Sequence, residues 1–338
     1  MNIFLNDYND LCHEKVYKKL ATVKEKGNPG YGSDEYTERA KELIKRDLKR
    51  DDVQIEFLAG GTIANIIGIS ANLMAYEGII AVESGHIVGH EAGSIEATGH
   101  KVELIYSEDG KLSGELLEKR MEDFGEEYHI VPKLVYISQT TELGTVYSYD
   151  ELREIYDVCL KYGLYLYIDG ARMAVGLAAS DVKVEDLCDL CDIFTLGGTK
   201  NGALYGEALV IVEDELKENL RHFMKQRGAV MAKGFILGAQ FEALFEDGLY
   251  YELGKRAYEN SLKLSRAVEE TGVSFYKKPE SNQIFIVYPK SKIDELFKDN
   301  AFEVMPYDEE NRVLRFVTNY RTTEEEIEGL KASLINLK

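Results

Sequence analysis

Short runs rich in β-branched and aromatic residues alternate along this chain with amphipathic segments, and that alternation constrains the fold most. The runs are "VQIEFLA" (53–59), "GIIAVE" (78–83), "KVELIYS" (101–107), "KLVYISQ" (133–139), "YLYID" (165–169), "FTLGG" (194–198) and "GEALVIVE" (206–213). Most are apolar almost throughout, rather than on every second residue. Strands of that kind are buried on both faces, which requires helices above and below a mostly parallel sheet. The segments between them supply those helices. "HEKVYKKLATVKEK" (13–26) and residues 34–50 read as helices, with Ser33 or Asp34 as cap of the second after the loop "GNPGYGSDE". "IIGISANLMAY" (66–76) reads as an apolar helix. "SYDELREIYDVCLKYG" reads as a helix capped by Ser148 and stopped by Gly163.

From about 214 to 272 the pattern is helical, and beyond it the signals run strand, helix, strand, strand, helix to the end of "TEEEIEGLKASLINL". The expected organisation is an N-terminal segment (1–15), a large α/β domain (16–247) and a small α+β domain (248–338). A long helix over 248–272 is expected to bridge the lobes. With 338 residues the chain has room for both cores.

Charge narrows the partners. Forty Lys and Arg oppose sixty Asp and Glu, a net charge of −20. Such a surface repels phosphate backbones and anionic bilayers, so neither nucleic acid nor membrane is an expected partner. No run approaches the roughly 20 apolar residues needed to span a bilayer, and the N-terminus lacks a signal-peptide pattern. Cys12, Cys159, Cys188 and Cys191 read as reduced thiols of a cytoplasmic protein. The "CDLC" at 188–191 has no second ligand pair and reads as a helix leading into a strand. His86 and His90 in "HIVGHE" stand four apart, but the HExxH order and a third ligand are both missing, so no metal is expected.

The strand ends carry the chemistry. Ligands of open α/β sheets sit beyond the carboxyl ends of the strands. Four runs break there with unusual residues: "AGGTIAN", "ESGHIVGHE", "YIDGAR" and "LGGTKNG". Taken singly, each has an ordinary reading: a helix-entry turn, a half-buried histidine, a capping aspartate, a solvated loop lysine. Taken together they form a set. A glycine turn opening a helix offers free N–H groups to a phosphate. A desolvated lysine can condense with an aldehyde. An aspartate can hold the proton of a pyridine nitrogen, and an imidazole can stack on the ring. Phosphate cradle, aldehyde acceptor and ring partner together describe pyridoxal 5′-phosphate.

The sequence resembles the low-specificity threonine aldolases of the β-eliminating lyase group. The resemblance runs from "NDYNDLCHEKVY" through "GYGSDE", "GGTIAN", "GHIVGHE", "ISQTTELGTVY", "YIDGARM" and "LGGTKNGALYGEA" to "LRFVT". It implies the aspartate-aminotransferase fold (fold type I) and pyridoxal phosphate as cofactor. It further implies Lys200 as the Schiff-base lysine, Asp169 as the pyridinium partner, His86 on the ring face, and Gly61 and Thr62 at the phosphate. By the same resemblance Arg172 and Arg315 bind the substrate carboxylate, aided by Asn6, which stands where many members have serine. Tyr31 and Lys233 are implied to reach the substrate and the cofactor phosphate of a neighbouring subunit, in a homodimer or homotetramer with shared active sites. Thr141 stands where some members carry a histidine near the β-hydroxyl, so the catalytic base is left open between His86, a water and another residue.

The expected activity is cleavage of a β-hydroxy-α-amino acid of the threonine or allo-threonine type to glycine and an aldehyde. β-Elimination or transamination of a small amino acid is the nearest alternative. A binding protein that has lost catalysis is a second, against which the intact Lys200 and Asp169 argue.

Overall fold

The computed structural model describes residues 1–23 and 27–337. Strand β1 (Asn2–Ile3) stands outside the sheet made by the next seven: β2 (Gln54–Leu58), β3 (Glu77–Val82), β4 (Val102–Ile105), β5 (Val131–Ser138), β6 (Tyr165–Asp169), β7 (Ile193–Gly197) and β8 (Glu207–Ile211). Those seven form one sheet in the order β2-β8-β7-β6-β5-β3-β4. β8 runs antiparallel to both of its neighbours, and every other pairing is parallel. This is the mostly parallel sheet expected from the sequence.

Pleating sorts its side chains into two cores. Ile80 and Val82, Val135 and Ile137, Leu166 and Ile168, Phe194 and Leu196 face one layer of helices. Ile79 and Ala81, Leu134 and Tyr136, Tyr167, and Ile193 face the other. Both sets are almost fully buried, which is why the strands read as near-continuous apolar runs. The expected strand over 101–107 shortens to Val102–Ile105 because β4 is the sheet edge, where Leu104 and Tyr106 are exposed.

Local signals fix the helix ends. The helix Tyr149–Tyr162 begins with a reciprocal Ser148–Glu151 capping box and stops at Gly163, whose φ of 67° suits glycine. Asp34 rather than Ser33 caps the helix Glu35–Leu48. The helix expected over 66–76 instead spans Gly61–Ser70. The glycines read as a turn ahead of it are its cap and first residue. The helix Glu14–Thr22 occupies most of the expected 13–26 segment, whose positions 24–26 lie outside the described residues.

A second sheet is built from β9 (Gln283–Pro289), β11 (Glu303–Pro306) and β12 (Asn311–Val317), in the order β11-β12-β9. The short strand β10 (Asn300–Ala301) pairs instead with β1. Phe4 packs into the core beneath this sheet, with Phe302 and Phe316. The helix Leu249–Thr271 serves two cores. Leu249, Tyr250 and Leu253 belong to the large one, and Leu264, Ala267 and Val268 to the small one. It crosses the helix Met173–Ala179 at Gly254, where a Cβ would stand 2.3 Å from the Ala174 carbonyl oxygen. No helix among the described residues is long and apolar enough to cross a membrane.

Candidate active site

The carboxyl ends of β2, β3, β5, β6 and β7 open onto a cavity of about 330 Å³. Gly61, Thr62, His86, Asp169, Arg172 and Lys200 all line it. Five backbone breaks that are distant in sequence therefore supply one chamber, and the parallel sheet is what brings them to a common edge.

Asp169 ends β6 and is buried. Its Oδ2 accepts from the Tyr136 hydroxyl at 2.7 Å and from Asn65 Nδ2 at 3.0 Å; its Oδ1 accepts from the Ala171 N–H at 3.0 Å. Tyr136 and Tyr167 stack below it at 5.7 Å between ring centroids, and the Tyr167 hydroxyl donates to Asn65 Oδ1 at 2.8 Å. Asn65 Nδ2 also donates to Glu91 Oε1 at 2.7 Å. That oxygen meets His86 Nδ1 at 2.8 Å. Hydrogen bonds therefore link His86 to Asp169 through Glu91 and Asn65. The bond to Glu91 raises the proton affinity of His86 above its ordinary value, against its partial burial. Sequence reasoning assigned no role to Asn65, inside the helix Gly61–Ser70, or to Glu91, in the bend after His90, because only the fold brings them together beside Asp169.

The helix Gly61–Ser70 points its N-terminus at the cavity. Its cap, Gly60, makes no side-chain capping bond, and a Cβ at Gly60 or Gly61 would meet nothing within 4 Å. The first N–H groups are free to bind an anion.

Lys200 follows β7 in a tight hairpin. Gly198 and Thr199 donate backbone N–H bonds to the Gly206 carbonyl at 3.0 and 3.1 Å, and the Gly206 N–H donates to Thr199 Oγ1 at 2.9 Å. Burial lowers the proton affinity of Lys200, and nearby Arg172 lowers it further, against the attraction of Asp7, Asp169 and Glu207. Glu207 is a wall residue not anticipated from the sequence. Because β8 is antiparallel, its first residue rather than its last lies at the active edge, opposite Leu58 and Gly197. Glu207 Oε2 accepts from the Gly198 N–H at 3.1 Å, and burial raises its carboxyl to about 7.

Arg172 is held from the N-terminal segment. Asp7 accepts from Arg172 Nε at 2.7 Å and from Nη2 at 3.2 Å, and Asn282 Nδ2 donates to the same carboxylate at 3.0 Å. Burial alone would raise the Asp7 carboxyl, but Arg172 and Lys200 outweigh it and hold it below the ordinary range. Its neighbour Asn6, the expected substrate contact, accepts from the Tyr8 N–H at 3.1 Å through Oδ1. Tyr8 itself lines the cavity, with its ring 6.0 Å from Lys200 Nζ. Arg315, on β12, pairs with Glu303 and donates to Gln283 Oε1 at 3.2 Å. Arg172, Asp7 and Tyr8 are close enough to shape its electrostatics.

Tyr31 and Lys233 lie away from this chain's own cavity, exposed and side by side. The Tyr31 N–H donates to the Ala232 carbonyl at 3.2 Å, and Gly30 has no room for a Cβ beside that carbonyl. Lys225 Nζ sits 4.6 Å from the centre of the Tyr31 ring. His90 packs against His86 at 5.5 Å between rings. Among the described residues no group of three or more His, Cys, Asp or Glu could hold a metal ion. Cys188 and Cys191 sit in the short helix and turn ahead of β7, and burial pushes the Cys188 thiol up to about 11, away from reactivity.

Comparison with known proteins gives a consistent picture. The sequence profile described as "Beta-eliminating lyase" matches residues 14–291. A low specificity L-threonine aldolase of Pseudomonas sp. is 30% identical over 300 residues, covering 86% of this chain and 85% of that protein. The protein of the same name from Pseudomonas aeruginosa is 29% identical over 296 residues, with the same coverage. The solved structure of a threonine aldolase from Leishmania major superposes with a TM-score of 0.97 at 39% identity, covering 100% of this chain and 99% of that one.

Proposed function

The chain belongs to the β-eliminating lyase family, a group of pyridoxal-phosphate enzymes of fold type I, and from that premise we propose that it cleaves a β-hydroxy-α-amino acid of the threonine type to glycine and an aldehyde. The observation that carries the reading is the shared cavity of Lys200, Asp169 and the uncapped helix at Gly60–Gly61.

The residues present fit pyridoxal phosphate. An amine of lowered proton affinity can attack an aldehyde, and Lys200 has that character. Open space at Gly60 and Gly61 and the free helix N-terminus suit a phosphate, with the Thr62 hydroxyl beside them. The Asp169 carboxylate, fixed by three donors, would hold the proton on the ring nitrogen. The His86 imidazole, tethered by Glu91, would lie against the ring. Bound pyridoxal phosphate supplies an electron sink for the carbanion left at Cα.

The chain's own residues then select the bond. Arg172 and Arg315 would bind the substrate carboxylate and set the rotation about Cα, with Asn6 in support. The direction in which Cβ points decides which bond breaks. Arg172 spends Nε and Nη2 on Asp7, so it offers the substrate its remaining Nη1. Arg315, which spends Nη2 on Glu303 and Nη1 on Gln283, would offer its unpartnered Nε from the smaller lobe. The aldehyde leaves with Cβ, and a proton delivered to Cα completes glycine.

Two wider readings accompany the activity. The chain divides into an N-terminal segment (1–15), a large cofactor-binding domain (16–247) and a small domain (248–338). It works as a homo-oligomer, with Tyr31 and Lys233 offered together to a neighbouring subunit's site. Their adjacency on one exposed surface supports that arrangement.

The activity is tested by incubating purified protein with L-threonine, L-allo-threonine, L-serine and L-cysteine. Glycine plus acetaldehyde from the first two is expected. Pyruvate and ammonia from the last two, without glycine, would assign elimination instead. Borohydride reduction should fix the cofactor's mass on the peptide containing Lys200. Mixing a Lys200→Ala protein with a Tyr31→Ala, Lys233→Ala protein should restore activity if sites are shared, and two inactive pools that stay inactive would reject sharing.

A further inference from the structure

Two atoms in the cavity wall lack partners. Among the residues that line the cavity, Thr140 Oγ1 and Glu142 Oε2 are the buried side-chain polar atoms that find no hydrogen bond. Both residues lie on the turn that follows β5, two positions apart, and Thr140 is 4% exposed. Glu142 is not loose. Its other oxygen, Oε1, accepts from Ser138 Oγ at 2.8 Å and from the His86 N–H at 3.0 Å. One carboxyl oxygen is thus fixed by the protein and the other is left for something else. Leaving a buried polar atom unsatisfied costs about 1–3 kcal/mol, so a pair of such atoms in one wall calls for a ligand.

The chemistry of the pair identifies the ligand group. A carboxylate oxygen only accepts, and a threonine hydroxyl can donate. A hydroxyl answers both: its O–H donates to Glu142 while its oxygen accepts from Thr140. On the aldol-cleavage reading, on which this inference rests, the substrate carries one such group, at Cβ. We propose that Glu142 and Thr140 bind the substrate's β-hydroxyl, and that Glu142 is the base that takes its proton.

The step balances. The O–H proton passes to Glu142 Oε2. The electron pair of that bond becomes the second bond of the aldehyde carbonyl. The Cα–Cβ bond breaks and its pair stays at Cα, which takes up a proton to give glycine. Glu142 returns its proton to solvent once the aldehyde has left, so no net proton is gained.

The surroundings suit a base. Burial raises the proton affinity of Glu142 and the charge of Asp169 adds to it, while the Ser138 bond and His86 oppose the rise. A carboxylate lifted towards neutral pH takes protons better than an ordinary one. The titratable and charged groups facing it are Asp169 on β6, Tyr136 on β5, Tyr147 beyond the turn, and His86 with its partner Glu91 after β3. This residue also explains how the chain dispenses with a histidine at position 141.

The test uses the holoenzyme and two ligands, threonine and glycine, the second of which has no β-hydroxyl. Glu142→Gln should lower kcat/KM for threonine by about 100-fold or more and abolish the acid limb of its pH profile. It should bind glycine, followed by cofactor absorbance, within about threefold of the unaltered enzyme. Thr140→Val should lose about tenfold on threonine, and Thr140→Ser should recover most of it. Threonine cleavage by Glu142→Gln within about threefold of normal would overturn the proposal. So would an equal loss of glycine binding, which would mark Glu142 as a support of the cofactor. If the unaltered enzyme binds glycine but releases none from any β-hydroxy amino acid, the aldolase reading itself has failed and this assignment falls with it.

Discussion

Two regions, the shell of Asp169 and the surroundings of Arg172 and Arg315, are finished to different degrees. Around Asp169 every polar atom of the inner shell has a partner from the protein: Tyr136, Asn65, Ala171 and, one step out, Glu91, Tyr167 and Ser94. Around Arg315 and Arg172 the accounts stay open. Arg315 Nε, and Asn282 Oδ1 beside the Asp7–Arg172 pair, are buried without partners, and the wall after β5 adds Thr140 Oγ1 and Glu142 Oε2. The first end is rigid before anything binds, as electrostatic preorganisation requires. On the proposed reading the second would be completed by the substrate it receives. An aldolase needs this division, because one group is retained through every turnover and the other enters and leaves.

Substitutions at the two ends should therefore fail in different ways. The largest effect is expected from Asp169→Asn, which leaves the shape but removes the charge. Glycine release from threonine should fall by about 10²–10⁴-fold at saturating substrate. A loss confined to KM would contradict a finished cofactor end. Next comes Asp7→Ala, which strands the Arg172 guanidinium in a site where its side chain is only 11% exposed. Breaking such a pair should cost about 3 kcal/mol of stability in urea unfolding, with a raised KM for threonine. Arg315→Ala should raise that KM by about 10–100-fold with a smaller change in kcat, and Arg315→Lys should recover only part. If Arg315→Ala instead abolished cofactor binding, the division between the two ends would be misplaced.

The smallest effect concerns pH. Glu207 in the folded protein holds its proton up to about 7, whereas an unfolded glutamate releases it near its ordinary value of about 4.3. Between those values the folded state binds more protons, so stability falls as pH rises through that window. The midpoint of thermal unfolding should drop by roughly 2–5 °C more between pH 5 and pH 8 in the unaltered protein than in Glu207→Gln. Equal drops would show that Glu207 is ionised throughout.

What the sequence made legible follows the same line. Strands β5, β6 and β7 declared themselves by composition, and Asp169 and Lys200 by standing where apolar runs break. Ser148 and Gly163 marked a helix to the residue, because a capping box and a left-handed glycine are local devices. The residues that were missed depend on distant parts of the chain. Asp7 meets Arg172 across 165 positions, and no spacing rule joins them. Glu207 was read as the ordinary start of a strand, since nothing local reveals that β8 is reversed. Glu142 stood one residue beyond the position searched for a histidine. The expected helix at 66–76 began too late because Gly60 and Gly61, which mark a turn in most contexts, here open the helix itself.

That reversed strand has a further consequence for how the protein is made. Lys200 lies in the turn of one hairpin and Glu207 opens its second arm, so the pairing that places them needs only a few intervening residues to close. Asp169, Asp7 and the small-lobe arginine must be gathered over far longer loops, which close more slowly and at greater entropic cost. The amine and its acidic neighbour therefore depend on one short-range pairing, and the rest of the pocket on long-range ones.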